Sequence, residues 1–392
     1  MRKRLLFATH HVSLPPRSGG SIRSLQLIQA LAQDYEIDLV HFGESMPRSR
    51  GGAVYEVAIA SNGQGISRTL SGYLKGQPRY VSRWRLPEYR RQILRLAAEN
   101  QYEVVILDHL LNAHLIAPLR ALQISNIVLS THNVEHQVIR KRLGVSKSPM
   151  KAYHQLEYQL LKRFERQAGQ GCDAVICVSE DDAHYFRSLQ EKTLVIPNGV
   201  DTQALAYRHG FRHGANLVFV GNFGYKPNED AMLYFVDEIW PRIRNIHPEC
   251  RIQLVGAHPS KALRALQRHQ GVEIHADVPS VRPFLEHATI AVIPLRYGGG
   301  TKLKILEAMA CGVPVVSTSV GIEGLPDIRS GDHVLVADTP MAFADEVLAL
   351  LKAPEIGAQM SENARRLVER QYAWDTVTRP LSPFIQGLGR FA

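Results

Sequence analysis

Long apolar runs are missing from this chain. No stretch approaches the ~20 consecutive apolar residues that a membrane-crossing helix needs, so no spanning segment is expected. Met1 to Arg4 are followed by Leu5, Leu6 and Phe7, but His10 and His11 cut that run short of a signal-peptide core. A cytoplasmic protein is therefore expected. Cysteine is scarce, and Cys172, Cys177, Cys250 and Cys311 stand among apolar neighbours without metal-ligand spacing. That predicts buried reduced thiols rather than disulfides or zinc. Several fingerprints are absent too. No G-x-G-x-x-G follows the first apolar run, which removes the usual nicotinamide dinucleotide site, and no glycine precedes Lys and Ser or Thr as in a Walker loop. There is no G-x-S-x-G elbow of the α/β hydrolases. Nor is there an Asp-x-Asp pair, through which many nucleotide-sugar enzymes hold a divalent metal.

Acidic residues are the scarcer charge. The 46 Lys and Arg against 37 Asp and Glu leave a formal net charge of +9, and residues 1–205 hold 26 against 18. The excess gathers in Arg79 to Leu96, where Tyr80, Trp84 and Tyr89 are interleaved with arginines, and in Arg140 to Lys151. Such a face suits anionic lipid headgroups, as a peripheral membrane contact, or an anionic acceptor, or is simply a solvated helix surface. No motif supports nucleic acid as a partner.

Alternation of short apolar runs with amphipathic ones marks an α/β chain, and 392 residues exceed one ordinary core. Strands are predicted at Arg4 to Thr9, Glu36 to Phe42, Glu103 to Leu107, Ile127 to Ser130, Ala174 to Val178 and Leu194 to Ile196. The segment with Gly51, Gly52, Gly63 and Gly65 reads as irregular. Helices are expected at Ile22 to Leu31, Leu86 to Glu99 and Lys151 to Gln170. Leu205 to Ala215 lacks periodicity and reads as a linker, after which the pattern restarts. Strands then fall at Asn216 to Val220, Arg251 to Val255, Val272 to Ile274 and Ile290 to Pro294, with helices at Ala231 to Arg244 and Val281 to His287. The reading is residues 1–205 as one domain, 206–375 as a second, and 376–392 as a helix and tail returning to the first. Two similar α/β halves imply a cleft in which ligands lie.

Tyr297 to Thr318 carries most of the chemistry. Gly298, Gly299 and Gly300 make a loop without side chains, Thr301 stands where it could cap a helix over Lys302 to Cys311, and Gly312 and Pro314 end it. Val313, Val315 and Val316 then read as a short buried strand. A glycine loop feeding a helix start holds anions, because unpaired backbone N–H groups and the helix dipole aim at one point. Lys302 and Lys304 add mobile charge, and Glu307, one turn on, has acceptor oxygens for a vicinal diol such as a ribose. In the other half, His132, Asn133 and Glu135 follow a strand, where open α/β sheets present their ligands. Asn198 is expected to shape a turn with Gly199.

These residues resemble the retaining glycosyltransferases of family 4, and the resemblance covers nearly the whole chain. It rests on the Gly19–Gly20 loop after the first strand, His132 at a strand end, CVSE ending at Glu180, IPNGVD, FVGNFGYKPNEDA and GGGTKLKILEAMACGVPVVST. Within the family it looks most like sugar transferases of bacterial surface and exopolysaccharide assembly. The resemblance implies a GT-B fold, two Rossmann-like doubly wound parallel-sheet domains facing a central cleft. It further implies transfer of a sugar from a nucleotide-diphosphate donor to a glycan or lipid-linked acceptor with retention, with no cofactor and no bound metal. Carried over by position, the catalytic residues are His132, Lys226 and Glu307. Gly221, Asn222, Lys226 and Gly299 bind the donor with Gly300, Thr301, Lys302, Lys304, Leu306 and Glu307, and Gly19 and Gly20 bind the acceptor. His132 is expected near the sugar.

Two positions depart from the family pattern. The first of its two glutamates falls on Gly299, so that contact passes to the amides of Gly299, Gly300 and Thr301 or is lost. Asn222 stands where many members have arginine. Two rival readings stay open: a nucleotide-sugar epimerase of the same fold, and a non-catalytic nucleotide-sugar binding module.

Overall fold

The computed structural model describes residues 3–11, 18–42, 54–59, 66–145, 151–210, 214–299 and 301–388. Its chain divides into two compact units, one of Met1–Pro197 with Thr378–Ala392 and the other of Asn198–Val377.

The first unit is built on seven parallel strands: β1 (Lys3–His11), β2 (Tyr35–Phe42), β3 (Val54–Ile59), β4 (Val104–Asp108), β5 (Ile127–Ser130), β6 (Ala174–Cys177) and β7 (Thr193–Val195). They lie in the order β3-β2-β1-β4-β5-β6-β7. Leu5, Leu6, Phe7 and Ala8 of β1 are all fully buried. Burial on both faces explains why the strand reads as an unbroken apolar run rather than an alternation. The strand β3 lies in the glycine-spaced segment that reads as irregular; it is an edge strand, paired on one side by β2. An edge strand need bury little, so VYEVAI carries a weak apolar signal. The helix Leu381–Leu388 belongs to this unit, with Leu381, Ile385 and Leu388 buried and Ser382 Oγ donating to Asp34 Oδ2 at 2.5 Å.

The second unit repeats the plan with six parallel strands: β8 (Asn216–Val220), β9 (Arg251–Gly256), β10 (Val272–Ala276), β11 (Ile290–Ile293), β12 (Val315–Ser317) and β13 (Leu335–Val336). Their order is β10-β9-β8-β11-β12-β13. Residues 198–205 pack here: Asn198 bonds to Thr301, and the Arg365 guanidinium donates to the carbonyls of Thr202 and Leu205 at 2.8 Å each. The helix after β8 begins at Lys226, five residues before the sequence-based start at Ala231, because Pro227 in its first turn is preset for helix. It is also not one regular helix. A π-type turn over Phe235–Ile239 joins Lys226–Tyr234 to Trp240–Ile246, and Pro241, which has no N–H to donate, opens the second piece.

In both sheets the strand order reverses direction at one place, between β1 and β4 and between β8 and β11. Ligand crevices of open parallel sheets lie outside the carboxyl ends of the strands at that reversal.

Candidate active site

In the first unit, β1 leads to the helix Gly19–Leu31, β4 to Asp108 and His109, and β5 to Thr131 and His132. Asp108 is fully buried, and its carboxylate accepts from four side chains: Thr9 Oγ1 at 2.8 Å, Ser24 Oγ at 2.5 Å, Ser130 Oγ at 2.9 Å and His132 Nε2 at 2.9 Å. Burial pushes this carboxyl group up, but His132 and His109 together with its donors outweigh burial and hold it well below the usual carboxylate range. His132 is thereby fixed in orientation, and its other nitrogen lies toward Gly20, where an added Cβ would sit 3.5 Å from Nδ1. The same Cβ would sit 3.3 Å from His109 Cε1, so Gly20 lets the helix start approach both rings.

The rings of His109 and His132 stack at 3.6 Å with 11° between their planes. His109 holds a left-handed backbone, φ 69°, which costs a non-glycine residue of order 1–3 kcal/mol and clusters at functional sites. Burial and the neighbouring His132 lower its pKa well below the ordinary histidine value. Ligand atoms of Asp108, His109 and His132 lie within 4.8 Å of one another. Stacked rings, however, send their in-plane lone pairs side by side instead of toward one point, and Asp108 already has four donors. A hydrogen-bonded, stacked cluster describes this geometry better than a metal cage. Asp108 and His109 were not singled out from the sequence, although an aspartate closing the apolar strand VVILD was the available signal.

Beyond His132, the buried Glu165 accepts from the backbone N–H groups of Glu135 and His136 at 2.7 and 3.0 Å, and from His136 Nδ1 at 2.5 Å. It closes the start of the helix Glu135–Val145 from a neighbouring helix, Lys151–Gly171. Glu135 receives Tyr80 Oη at 3.2 Å and Asn133 Nδ2 at 3.3 Å. Its carboxyl is pushed up to about 7 by burial and by Glu165.

In the second unit, β8 leads to Gly221 and Asn222, and β11 leads through the glycine loop to the helix Leu303–Ala310. Gly300 lies outside the described residues. Lys302 stands at the cap position of this helix with no side-chain cap bond, so Thr301 does not cap it as expected from the sequence. The Thr301 hydroxyl instead accepts from Asn198 N at 3.0 Å, and Asn198 Nδ2 donates to Thr301 O at 3.0 Å. Asn198 therefore ties the loop in place. Lys302 is buried, with Nζ donating to Gly299 O at 3.1 Å. Lys304 Nζ donates to Asn228 Oδ1 at 2.9 Å and lies 5.5 Å from the centre of the Phe219 ring.

Glu307 follows Lys304 one turn on, and among the described residues its carboxylate accepts no hydrogen bond. Burial pushes Glu307 up to about 7 against the pull of Lys304. Burial, with Lys302 adding and Glu307 opposing, brings Lys304 down to about 8. Asn222 turns its side chain to its own loop, with Oδ1 accepting from Gly224 N at 2.8 Å. Lys226 pairs with Glu229 at 2.5 Å and keeps 56% of its side chain exposed. Leu306 is fully buried in the core. The structure thus carries Gly299, Lys302, Lys304 and Glu307 on one loop and helix start, with Gly221 and Asn222 on the loop after β8. In the first unit it brings Gly20 and His132 together, with Gly19 exposed at the start of its helix.

Residues 17–204 match the family described as Glycosyltransferase Family 4, and residues 214–353 the one described as Glycosyl transferases group 1. The chain is 25% identical to the GDP-mannose-dependent alpha-(1-6)-phosphatidylinositol monomannoside mannosyltransferase of Mycolicibacterium smegmatis, over 95% of this chain and 96% of that one. It is 22% identical to an uncharacterized 44.6 kDa protein in the cps region of Klebsiella pneumoniae, over 64% of this chain and 66% of that protein. Among solved structures, sucrose-phosphate synthase from Thermosynechococcus elongatus is similar with a TM-score of 0.75 at 16% identity, over 99% of both chains. Anabaena HepE in complex with UDP and glucose gives 0.71 at 12%, over 98% of this chain and all of that one. Likenesses at such identities carry the fold.

Proposed function

The chain belongs to glycosyltransferase family 4, with the GT-B fold, and on that premise we propose that it moves a sugar from a nucleoside diphosphate donor to a glycan or lipid-linked acceptor with retention of anomeric configuration. Bacterial polysaccharide or lipopolysaccharide assembly is the setting this reading favours. The observation that carries it is the Glu307 carboxylate, without a hydrogen-bond partner among the described residues and one turn beyond the half-buried Lys304, at a helix start that no side chain caps.

Breaking a glycosyl bond to a diphosphate leaves a group whose charge grows as the bond lengthens. Lys302, Lys304 and the backbone amides of the helix start offset that charge, at about 3 kcal/mol per well-aimed donor. A divalent metal is then not needed for the leaving group. Glu307 accepts the ribose diol in its ionised form. In the first unit, His132 held by Asp108 and the Gly19–Gly20 turn serve the acceptor and the reacting sugar. No helix among the described residues is long and apolar enough to cross a membrane. A cytoplasmic protein with a peripheral lipid contact suits a lipid-linked acceptor.

The test is a panel of uridine and guanosine diphosphate sugars, incubated with and without candidate acceptors. The relatives make GDP-mannose and UDP-glucose the first choices. Transfer should require acceptor, and NMR of the product's anomeric proton should report the donor's configuration. The Glu307→Ala variant should lose well over tenfold in turnover with an unchanged melting temperature, since an aimed polar contact carries at least that much. Donor conversion without acceptor would replace this reading with epimerisation. Wild-type turnover in the variant would remove the site.

A further inference from the structure

Asn228 lies in the first turn of the helix Lys226–Tyr234 and is 4% exposed. Its Nδ2 donates to Asn222 O at 2.8 Å, and its Oδ1 accepts from Lys304 Nζ at 2.9 Å. One amide therefore spans the two segments that carry the donor site: the loop after β8 and the helix after the glycine loop. Its orientation is dictated by its partners. Only the nitrogen can serve a carbonyl, and only the oxygen can serve an ammonium group. Gly221 leaves room for it, since a Cβ there would sit 2.9 Å from Asn228 Nδ2.

Resting on the donor reading above, we propose that Asn228 is a positioning residue of the donor site. It holds the Lys304 ammonium against the Asn222 carbonyl by a bridge that carries no charge, leaving the lysine's full positive charge for a diphosphate.

The charges around Lys304 bear this out. Those that act on it are Lys302 and Glu307, both from its own loop and helix. Among the described residues, the contacts it makes with other elements are to neutral groups: Asn228 from the Lys226 helix and the Phe219 ring from β8. The charged residues Lys226 and Glu229, which flank Asn228 in sequence, pair with each other. An ammonium has three protons, and among the described residues Asn228 takes one, so two remain for ligand oxygens. A carboxylate in the same place would hold the ammonium as a closed ion pair and would turn an acceptor toward the Asn222 carbonyl.

The experiment compares wild type with Asn228→Asp and Asn228→Ala by two measurements. The first is a pH titration of the Lys304 side chain by 13C NMR, with the resonance assigned by its loss in Lys304→Gln. In Asn228→Asp the midpoint should rise by about one to three pH units, as for an opposite charge at contact distance. In Asn228→Ala it should stay at or below the wild-type value. The second is calorimetric binding of UDP and GDP at pH 7. The Asp variant should bind at least tenfold more weakly and the Ala variant less severely so. A purely structural role predicts equal losses in the two variants, tracking a fall in melting temperature, with no opposite movement of the midpoint. An unmoved midpoint in Asn228→Asp overturns the bridge, and should that variant not fold, a raised midpoint in Asn228→Ala overturns it equally. If the midpoint rises but wild type binds neither nucleotide, the donor reading falls, and the role given to Asn228 falls with it.

Discussion

At the scale of residues, the two groups proposed to hold the donor are shifted toward one another. Glu307 is raised to about 7 and must lose its proton to accept a diol, whereas Lys304 is lowered to about 8 and must keep its proton to meet a phosphate. Donor capture should thus rise with pH through about 7 and fall through about 8, giving a narrow maximum of kcat/KM between them. Glu135 also titrates near 7, so the acid limb needs assigning. Glu307→Gln should abolish it and Glu135→Gln should leave it in place; the reverse pattern would move the essential carboxylate to the first unit. Glu307 and Lys304 were legible in the sequence because a glycine loop, a helix start and one helical turn suffice to put them together. Asp108, His109 and Asn228 were not. Their roles depend on partners 22 to 99 residues away, such as Thr9 and Ser130 for Asp108 and Lys304 for Asn228.

At the scale of elements, the candidate sites lie by the strand ends at each sheet's reversal, and beside that of the second sheet small residues permit close backbone approach. A Cβ on Gly256 at the end of β9 would stand 1.8 Å from Gly221 O, the carbonyl of the residue after β8. Gly256→Ala must push the two strand ends apart. Such overpacking costs about 1–3 kcal/mol or more. A lower melting transition is expected, together with loss of nucleotide affinity beyond what the unfolded fraction explains. Wild-type affinity in a folded Gly256→Ala protein would separate this turn from the donor site. Elements with strong apolar runs were readable almost to the residue, and β8 and β5 have the bounds that periodicity indicates. The edge strand β3 and the two-residue β13 bury too little to leave a pattern. The Lys226 helix was read late because its first turn is polar, KPNED, and its start is set by a proline and tertiary contacts.

At the scale of the whole molecule, the last helix is tied to the first unit. Leu381, Ile385 and Leu388 are buried there, and the helix contacts Gly19–Leu31. Ile385→Asp would bury an unpaired charge, which costs at least about 2 kcal/mol. Hydrogen exchange should then quicken in residues 19–31 while β8 and β11 keep their protection; equal loss everywhere would show the units to be one cooperative block. The charge distribution is the other whole-molecule feature. Of the net +9, an excess of 26 basic over 18 acidic residues sits in 1–205. Cosedimentation with vesicles containing anionic lipid is expected at low ionic strength and should fade as salt rises toward a Debye length of about 8 Å. Absence of binding even at low salt would remove the lipid contact.

Fold class, the repeat of an α/β plan and the glycine loop feeding a helix start were determined by the sequence itself. Each is written locally, in runs of apolar residues, glycine spacing and one turn of helix. The burial of Asp108 under four donors, the strained backbone and ring stack of His109, and the neutral Asn228 link between Lys304 and Asn222 were decided only when the sheets formed. They depend on which strands become neighbours, since β4 enters beside β1 and β11 beside β8 after long detours of chain. A hydrogen bond specifies geometry only once its partners are adjacent, and adjacency across such distances belongs to the tertiary structure.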